Sequence, residues 1–177
     1  MKKLITNFKV YVFLLIAATV IAACLKTQDQ NVTNTPEKEA SMIANWLATM
    51  VTNKKNIDTT TTGLYYIVQK VGTGATVHTG DSVTVKYTGM FLDGQIFDAS
   101  SMHSTAGTYK FVHKDNDPNK RMIQGWEEGI EVLSKGGSAA FLIPSAKAYG
   151  ASGNSVIPPY TPLIFVIEVV NIKSNSL

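Results

Sequence analysis

The sequence predicts an α+β domain in which an antiparallel sheet folds over one short helix. Three observations carry that prediction. From Thr60 onward, short runs rich in β-branched and aromatic residues recur between glycines. Among them, only Ile123 to Leu133 keeps apolar residues at helical spacing. The chain of 177 residues is 45% hydrophobic and 16% charged, which suits one compact domain with a short appendage and argues against a wholly disordered chain.

The appendage comes first. Lys2, Lys3 and Lys9 give a positive start, and Val10 to Ala23 is an apolar stretch of 14 residues. That is short for a bilayer span and has the length of a signal-peptide core. The stretch ends Val20-Ile21-Ala22-Ala23-Cys24, which resembles a bacterial lipobox, in which the cysteine becomes the lipidated first residue. The competing reading is an uncleaved N-terminal anchor. Both put the rest of the chain outside the cytoplasmic membrane. Leu25, rather than Asp, follows the cysteine and leans towards the outer membrane of a two-membrane bacterium, with the domain facing the periplasm. Cys24 is the only cysteine, so no internal disulfide forms. The formal net charge of +3 also belongs to this segment, because residues 1–23 hold three lysines and no acid, leaving 13 basic against 13 acidic residues. The balance excludes a nucleic-acid-binding surface as the default expectation. The expected organisation is residues 1–23 as lipoprotein signal peptide, 24–57 as lipidated tether and amphipathic helix, and 58–174 as the globular domain.

Lys26 to Thr35 is polar and aperiodic, as a tether is. Thr35-Pro36-Glu37 then supplies an N-cap, a proline at the first helical position and an acid in the first turn. Ile43, Trp46, Leu47, Met50 and Val51 fall on one face, so a helix is expected from about Pro36 to Asn53. Its stripe buries either against the main domain or against a partner or second copy, giving a dimer. Further on, Leu64 to Val68 reads as a strand. Val83, Val85 and Tyr87 alternate with Thr84, Lys86 and Thr88, Ala139 to Ile143 is a short apolar run stopped by Pro144, and Leu163 to Ile172 is the longest strand. Ile123, Trp126, Ile130 and Leu133 mark the one helix, with Gly136-Gly137 stopping the run.

Conventional catalytic motifs are missing. There is no phosphate-cradling Gly-Lys-Ser/Thr loop, no His-Glu-x-x-His and no G-x-S-x-G elbow, and His78, His103 and His113 lack metal-ligand spacing. An enzyme built from these residues needs no metal, cofactor or nucleophile, and rotation about a prolyl amide meets that condition.

Four blocks of sequence point the same way. Gly80 to Gly89 with Asp93 to Ser100, Ile123 to Gly129, Ala148-Tyr149-Gly150-Ala151, and Ile157-Pro158-Pro159 with Leu163-Ile164-Phe165 together resemble the FKBP-type peptidyl-prolyl cis–trans isomerases in order and spacing, over about residues 60–173. The resemblance implies a five- or six-stranded antiparallel sheet wrapped around one short helix. It implies Trp126 as the floor under a prolyl ring, Tyr87, Phe97 and Phe165 as walls, and Met122 and Ile123 along the approach. Tyr149 would donate its hydroxyl to a substrate carbonyl, and the backbone N–H of Ile157 would be a second donor. Asp98 would bring a carboxylate to the edge, tied to Tyr87 or facing the carbonyl. Proline-containing proteins are the implied substrates, with macrolide binding and membrane attachment through the lipid anchor. A binding module or chaperone that holds such segments without turnover, alone or in dedicated envelope machinery, is the competing reading. Taken singly, Trp126, Phe97 and Phe165 are ordinary core aromatics; only their joint order makes a pocket. Tyr109 stands where the family usually has a pocket Phe, Met122 replaces the usual Val, and the Phe111–Met122 connection is longer and polar. The Gly150–Ile157 loop is about one residue shorter, with Asn154 where the smallest members have His.

Overall fold

The computed structural model describes residues 34–175, so the predicted leader and Cys24 lie outside the described residues. The helix α1 spans Pro36–Thr52, with Thr35 as N-cap accepting from the Lys38 N–H. Seven antiparallel strands follow in one sheet: β1 (Asp58–Thr59), β2 (Tyr65–Lys70), β3 (Ser82–Met90), β4 (Ile96–Ala99), β5 (Tyr109–Val112), β6 (Ser138–Ile143) and β7 (Leu163–Lys173). The spatial order is β1-β2-β6-β7-β3-β4, with β5 also pairing with β3. Two short helices interrupt the strands, α2 (Ser100–His103) and α3 (Gln124–Ile130).

Period-two burial explains the sheet. In β3, Val83, Val85 and Tyr87 are buried while Lys86 is exposed; in β7, Phe165, Ile167 and Val169 point the same way. The β3–β7 register sets Tyr87 opposite Ile167 and Gly89 opposite Phe165. One face of the sheet therefore carries a continuous apolar layer, and α3 closes it. The helix can approach because Gly125 has no side chain: a Cβ there would lie 2.4 Å from Ile143 Cγ2. The resulting core includes Leu64, Val83, Tyr87, Trp126, Ile130, Phe141, Leu163, Phe165 and Ile167.

Some elements differ from the sequence expectation. The sheet has seven strands rather than five or six, because Asp58–Thr59 adds a two-residue edge to β2 across a turn closed by Thr60 N–H to Leu64 O and Gly63 N–H to Thr60 O. The central helix ends at Ile130, before Leu133, because Val132 and Leu133 donate to carbonyls three residues back and tighten the last turn. A second helix, α2, follows β4. The helix α1 docks at its first half: Glu39, its buried residue, accepts from Ser145 N–H and Oγ–H, each at 2.6 Å. Asn34 donates to Thr161 Oγ at 2.9 Å. Val51, near the far end of the predicted stripe, stays exposed.

Candidate active site

Helix α3 delivers Trp126 to the centre of the layer. The indole meets Tyr87, Phe165 and Phe111 edge-on, at ring separations of 5.0, 5.3 and 5.7 Å. Such edge-to-face packing adds to simple area burial. Trp126 is 1% exposed, and among the described residues no oxygen accepts from its Nε1–H. Phe97 extends the ring cluster outward, 5.6 Å from Phe165 and 5.1 Å from Phe91. Tyr109 closes another side, 5.8 Å from Tyr87. Met122, Ile123 and Tyr149 pack half-buried against this core, and Ile157 is buried in it. The fold thus gathers the ten pocket residues singled out in the sequence around the same rings, Asp98 by its bond to Tyr87. Phe91 joins them; it sits just past the end of β3, where the alternation of the strand gives no cue.

Asp98 takes the first of its two sequence options. Its Oδ2 accepts from the Tyr87 hydroxyl at 2.7 Å, and Oδ1 lies 2.7 Å from His103 Nε2. Burial first, then the hydrogen bond and charge of Asp98, hold the Tyr87 hydroxyl far above the ordinary phenol range, so it remains a donor. Burial and the Asp98 charge also push Tyr149 up. The Tyr149 hydroxyl has no hydrogen-bond partner among the described residues, which leaves an O–H at the rim able to donate to a carbonyl. The Ile157 N–H is different. It donates to Asn154 Oδ1 at 2.7 Å, and the same oxygen accepts from Val156 N–H at 2.8 Å. A ligand carbonyl reaches that donor only by displacing the carboxamide.

A charged clamp unseen in the sequence holds the Trp126 helix. His113 is fully buried, with Nδ1 2.6 Å from Glu127 Oε2 and Nε2 2.9 Å from Glu131 Oε1. The Nδ1 approach is poorly aligned for a hydrogen bond, so it acts mainly as a charge contact. Burial disfavours the cation, but the two carboxylates outweigh it and hold His113 above the ordinary histidine range. Glu127 also accepts from Lys114 N–H at 2.9 Å and Met122 N–H at 3.1 Å, tying both ends of the long polar loop to α3. On the opposite side Lys147 Nζ meets Glu128 at 2.6 Å, and the same carboxylate accepts from Thr60 and Thr62.

Residues 73–170 match the model of the FKBP-type peptidyl-prolyl cis-trans isomerase family. The chain belongs to this family. An FKBP-type peptidyl-prolyl cis-trans isomerase FkpA from Aeromonas hydrophila is 35% identical over 123 residues, which is 70% of this chain and 43% of that protein. The chain spans less than half the length of the curated relatives it matches. The crystal structure of FkpA from Escherichia coli superposes with a TM-score of 0.64 at 29% identity, covering 92% of this chain and 73% of that one. A peptidyl-prolyl cis-trans isomerase from Pseudomonas syringae gives 0.62 at 27% identity, covering 80% of this chain and 99% of that one. In this FKBP-type domain Tyr87, Phe97, Trp126 and Phe165 come from the sheet and α3, whereas Tyr149 and Asn154 sit on connections and His103 ends α2.

Proposed function

We propose that this chain is a peptidyl-prolyl cis–trans isomerase that assists proteins folding in the bacterial cell envelope. The observation that carries the reading is the ring cluster of Tyr87, Phe97, Trp126 and Phe165, with the Asp98 carboxylate and the Tyr149 hydroxyl, unpartnered among the described residues, at its edge. The barrier to amide rotation is about 18–20 kcal/mol, and uncatalysed X–Pro exchange takes roughly tens to hundreds of seconds. Twisting the C–N bond breaks resonance and shrinks the carbonyl dipole. An apolar enclosure therefore penalises the planar ground state more than the twisted state, and each tenfold in rate needs only about 1.4 kcal/mol. In this reading Trp126 is the floor, Tyr87, Phe97 and Phe165 are walls, and Met122 and Ile123 line the entry. Tyr109 adds a hydroxyl to one wall. Tyr149 donates to the substrate carbonyl, and Ile157 N–H becomes a second donor once Asn154 moves aside. An apolar macrolide would compete for the same rings.

Location is part of the proposal. Lipidation at Cys24 anchors the domain to the outer membrane through the 24–57 segment, and mass spectrometry of the membrane fraction with a Cys24→Ala control tests it. Recovery of unlipidated chain in the soluble fraction counts against the anchor.

The second reading, a module that holds proline-containing segments without turnover, is favoured by one feature: the Ile157 N–H is already donated to Asn154. Isomerisation of proline peptides by the full chain separates the two. Acceleration supports the enzyme. Retained peptide binding with no acceleration leaves the holding module.

A further inference from the structure

We infer that His103 sets the charge of the pocket edge, and through it the preference for acidic or basic residues beside the proline; this rests on the substrate site proposed above. The helix α2 has only four residues, and its placement is fixed by Ser100, whose hydroxyl accepts from Tyr87 N–H at 3.1 Å and donates to Gly107 O at 2.8 Å. Its last residue, His103, meets Asp98 on the oxygen that Tyr87 leaves free. The imidazole also stacks on Tyr87, with ring centres 6.5 Å apart at 27°, and lies 6.0 Å from Tyr109. Tyr87 in turn touches Trp126. One ring therefore separates the His103–Asp98 pair from the pocket floor. The pair is not sealed in the core: the two side chains are 49% and 34% exposed.

The groups facing His103 are Asp98 from β4, Tyr87 from β3 and Tyr109 from β5, and Tyr149 adds its hydroxyl beside Asp98. Tyrosines are neutral at physiological pH. Asp98 is the acid of this edge and His103 the base that faces it, so positive charge at position 103 offsets the carboxylate and its absence leaves the carboxylate unbalanced. A peptide with lysine before proline gains, and one with glutamate loses, where the carboxylate is unbalanced.

The test uses the full chain as wild type, H103R and H103Q with two otherwise identical peptides, Lys-Pro and Glu-Pro, and dissociation constants measured by calorimetry at one pH, 7.0. Preference for Lys-Pro over Glu-Pro should be about three- to tenfold stronger in H103Q than in H103R, as expected for unit charges several ångströms apart near a surface. Equal preference in H103R and H103Q overturns the inference. Isomerisation measured in parallel tests the enzyme reading separately. Absent turnover with a preference that differs between the variants removes the isomerase and keeps the role of His103. Failure to bind either peptide removes both.

Discussion

Glu127→Gln tests the clamp beneath the Trp126 helix. The wild-type carboxylate is 6% exposed, accepts from Lys114 N–H and Met122 N–H, and lies 2.6 Å from His113. Glutamine keeps the volume but has one acceptor atom in place of two. One backbone N–H loses its partner, and buried His113 keeps only Glu131, which is 40% exposed and screened by solvent. Charge-assisted hydrogen bonds contribute about 1.5–3 kcal/mol, and a stranded buried donor costs about 1–3 kcal/mol. Some of this is recovered as the imidazole loses its proton, so the expected loss is about 2–4 kcal/mol at pH 6. That is a large share of the stability of an ordinary domain.

The loss has a direction in pH. His113 is held above its unfolded value of about 6.5, so its contribution is complete below that pH and disappears as pH rises through the raised folded value. Burial acts to raise Glu127 and Glu131, but their contacts with His113 and their hydrogen bonds to backbone N–H groups and Lys114 outweigh it and hold both low. Their contribution is present above the unfolded value of about 4.3 and is lost as pH falls through the lowered folded values. Wild-type stability therefore peaks between these limits. Urea unfolding followed by tryptophan fluorescence at pH 6 and pH 9 reads the difference. Glu127→Gln should cost less at pH 9 than at pH 6, because the imidazolium that the carboxylate stabilises is progressively lost as pH rises. An equal loss at both pH values, or one below about 0.5 kcal/mol at pH 6, refutes the clamp as a charged device.

Three further outcomes follow from the site. Phe97→Ala removes a half-buried wall that contacts Phe91 and Phe165 and should lower kcat/KM for proline peptides by about 10- to 100-fold with the circular dichroism spectrum retained; full activity in a folded variant would remove Phe97 from the site. It is a cleaner probe than Trp126→Ala, which also empties the core at a cost of about 3–5 kcal/mol. Asn154→Ala frees the Ile157 N–H and should lower KM by about two- to fivefold at a stability cost of about 1 kcal/mol. A raised KM would mean that the asparagine shapes the loop rather than blocking a donor. Gly89→Ala places a Cβ 2.8 Å from Phe165 Cε1 and Phe97 Cζ, and should destabilise by about 1–3 kcal/mol while weakening peptide binding, both read by calorimetry; unchanged binding would show that the wall rings move without consequence.

Where the sequence was informative, it was because a single local rule decided the outcome. Thr35-Pro36 fixed the start of α1, and Val83, Val85 and Tyr87 fixed the buried face of β3. The elements that escaped notice are held by distant partners instead. Asp58–Thr59 has no alternation of its own and becomes a strand only by pairing with Tyr65–Tyr66. The four residues of α2 are too few for a helical period and depend on Ser100 bonding back to β3. His113 gave no signal because Glu127 and Glu131 lie 14 and 18 residues further along. Asn154 showed only as a changed loop residue, and its occupation of the Ile157 N–H is a matter of turn geometry. The α1 stripe by itself does not distinguish the domain from another chain as its partner. Glu39 bonded to Ser145 shows that the first half of the helix packs on its own domain, through a charged residue that an apolar stripe does not include.

The division between walls and rim has a consequence for how such a site can change. Tyr87, Trp126 and Phe165 are at most 7% exposed and belong to the core as well as to the proposed pocket. Altering them costs stability before it changes preference, because a packed interior tolerates neither cavities nor overpacking cheaply. Tyr149, Asn154 and His103 have more freedom, since they sit on a turn, a loop and a four-residue helix outside the sheet. Substitutions there alter hydrogen bonds or charge at the edge with little loss of buried apolar area. In the proposed site, preference among prolines would therefore rest on residues that fold energetics constrains least, and enclosure of the prolyl ring on those it constrains most. Variants of His103 and Asn154 should change selectivity at a stability cost of about 1 kcal/mol or less, whereas variants of Trp126 should cost about 3–5 kcal/mol.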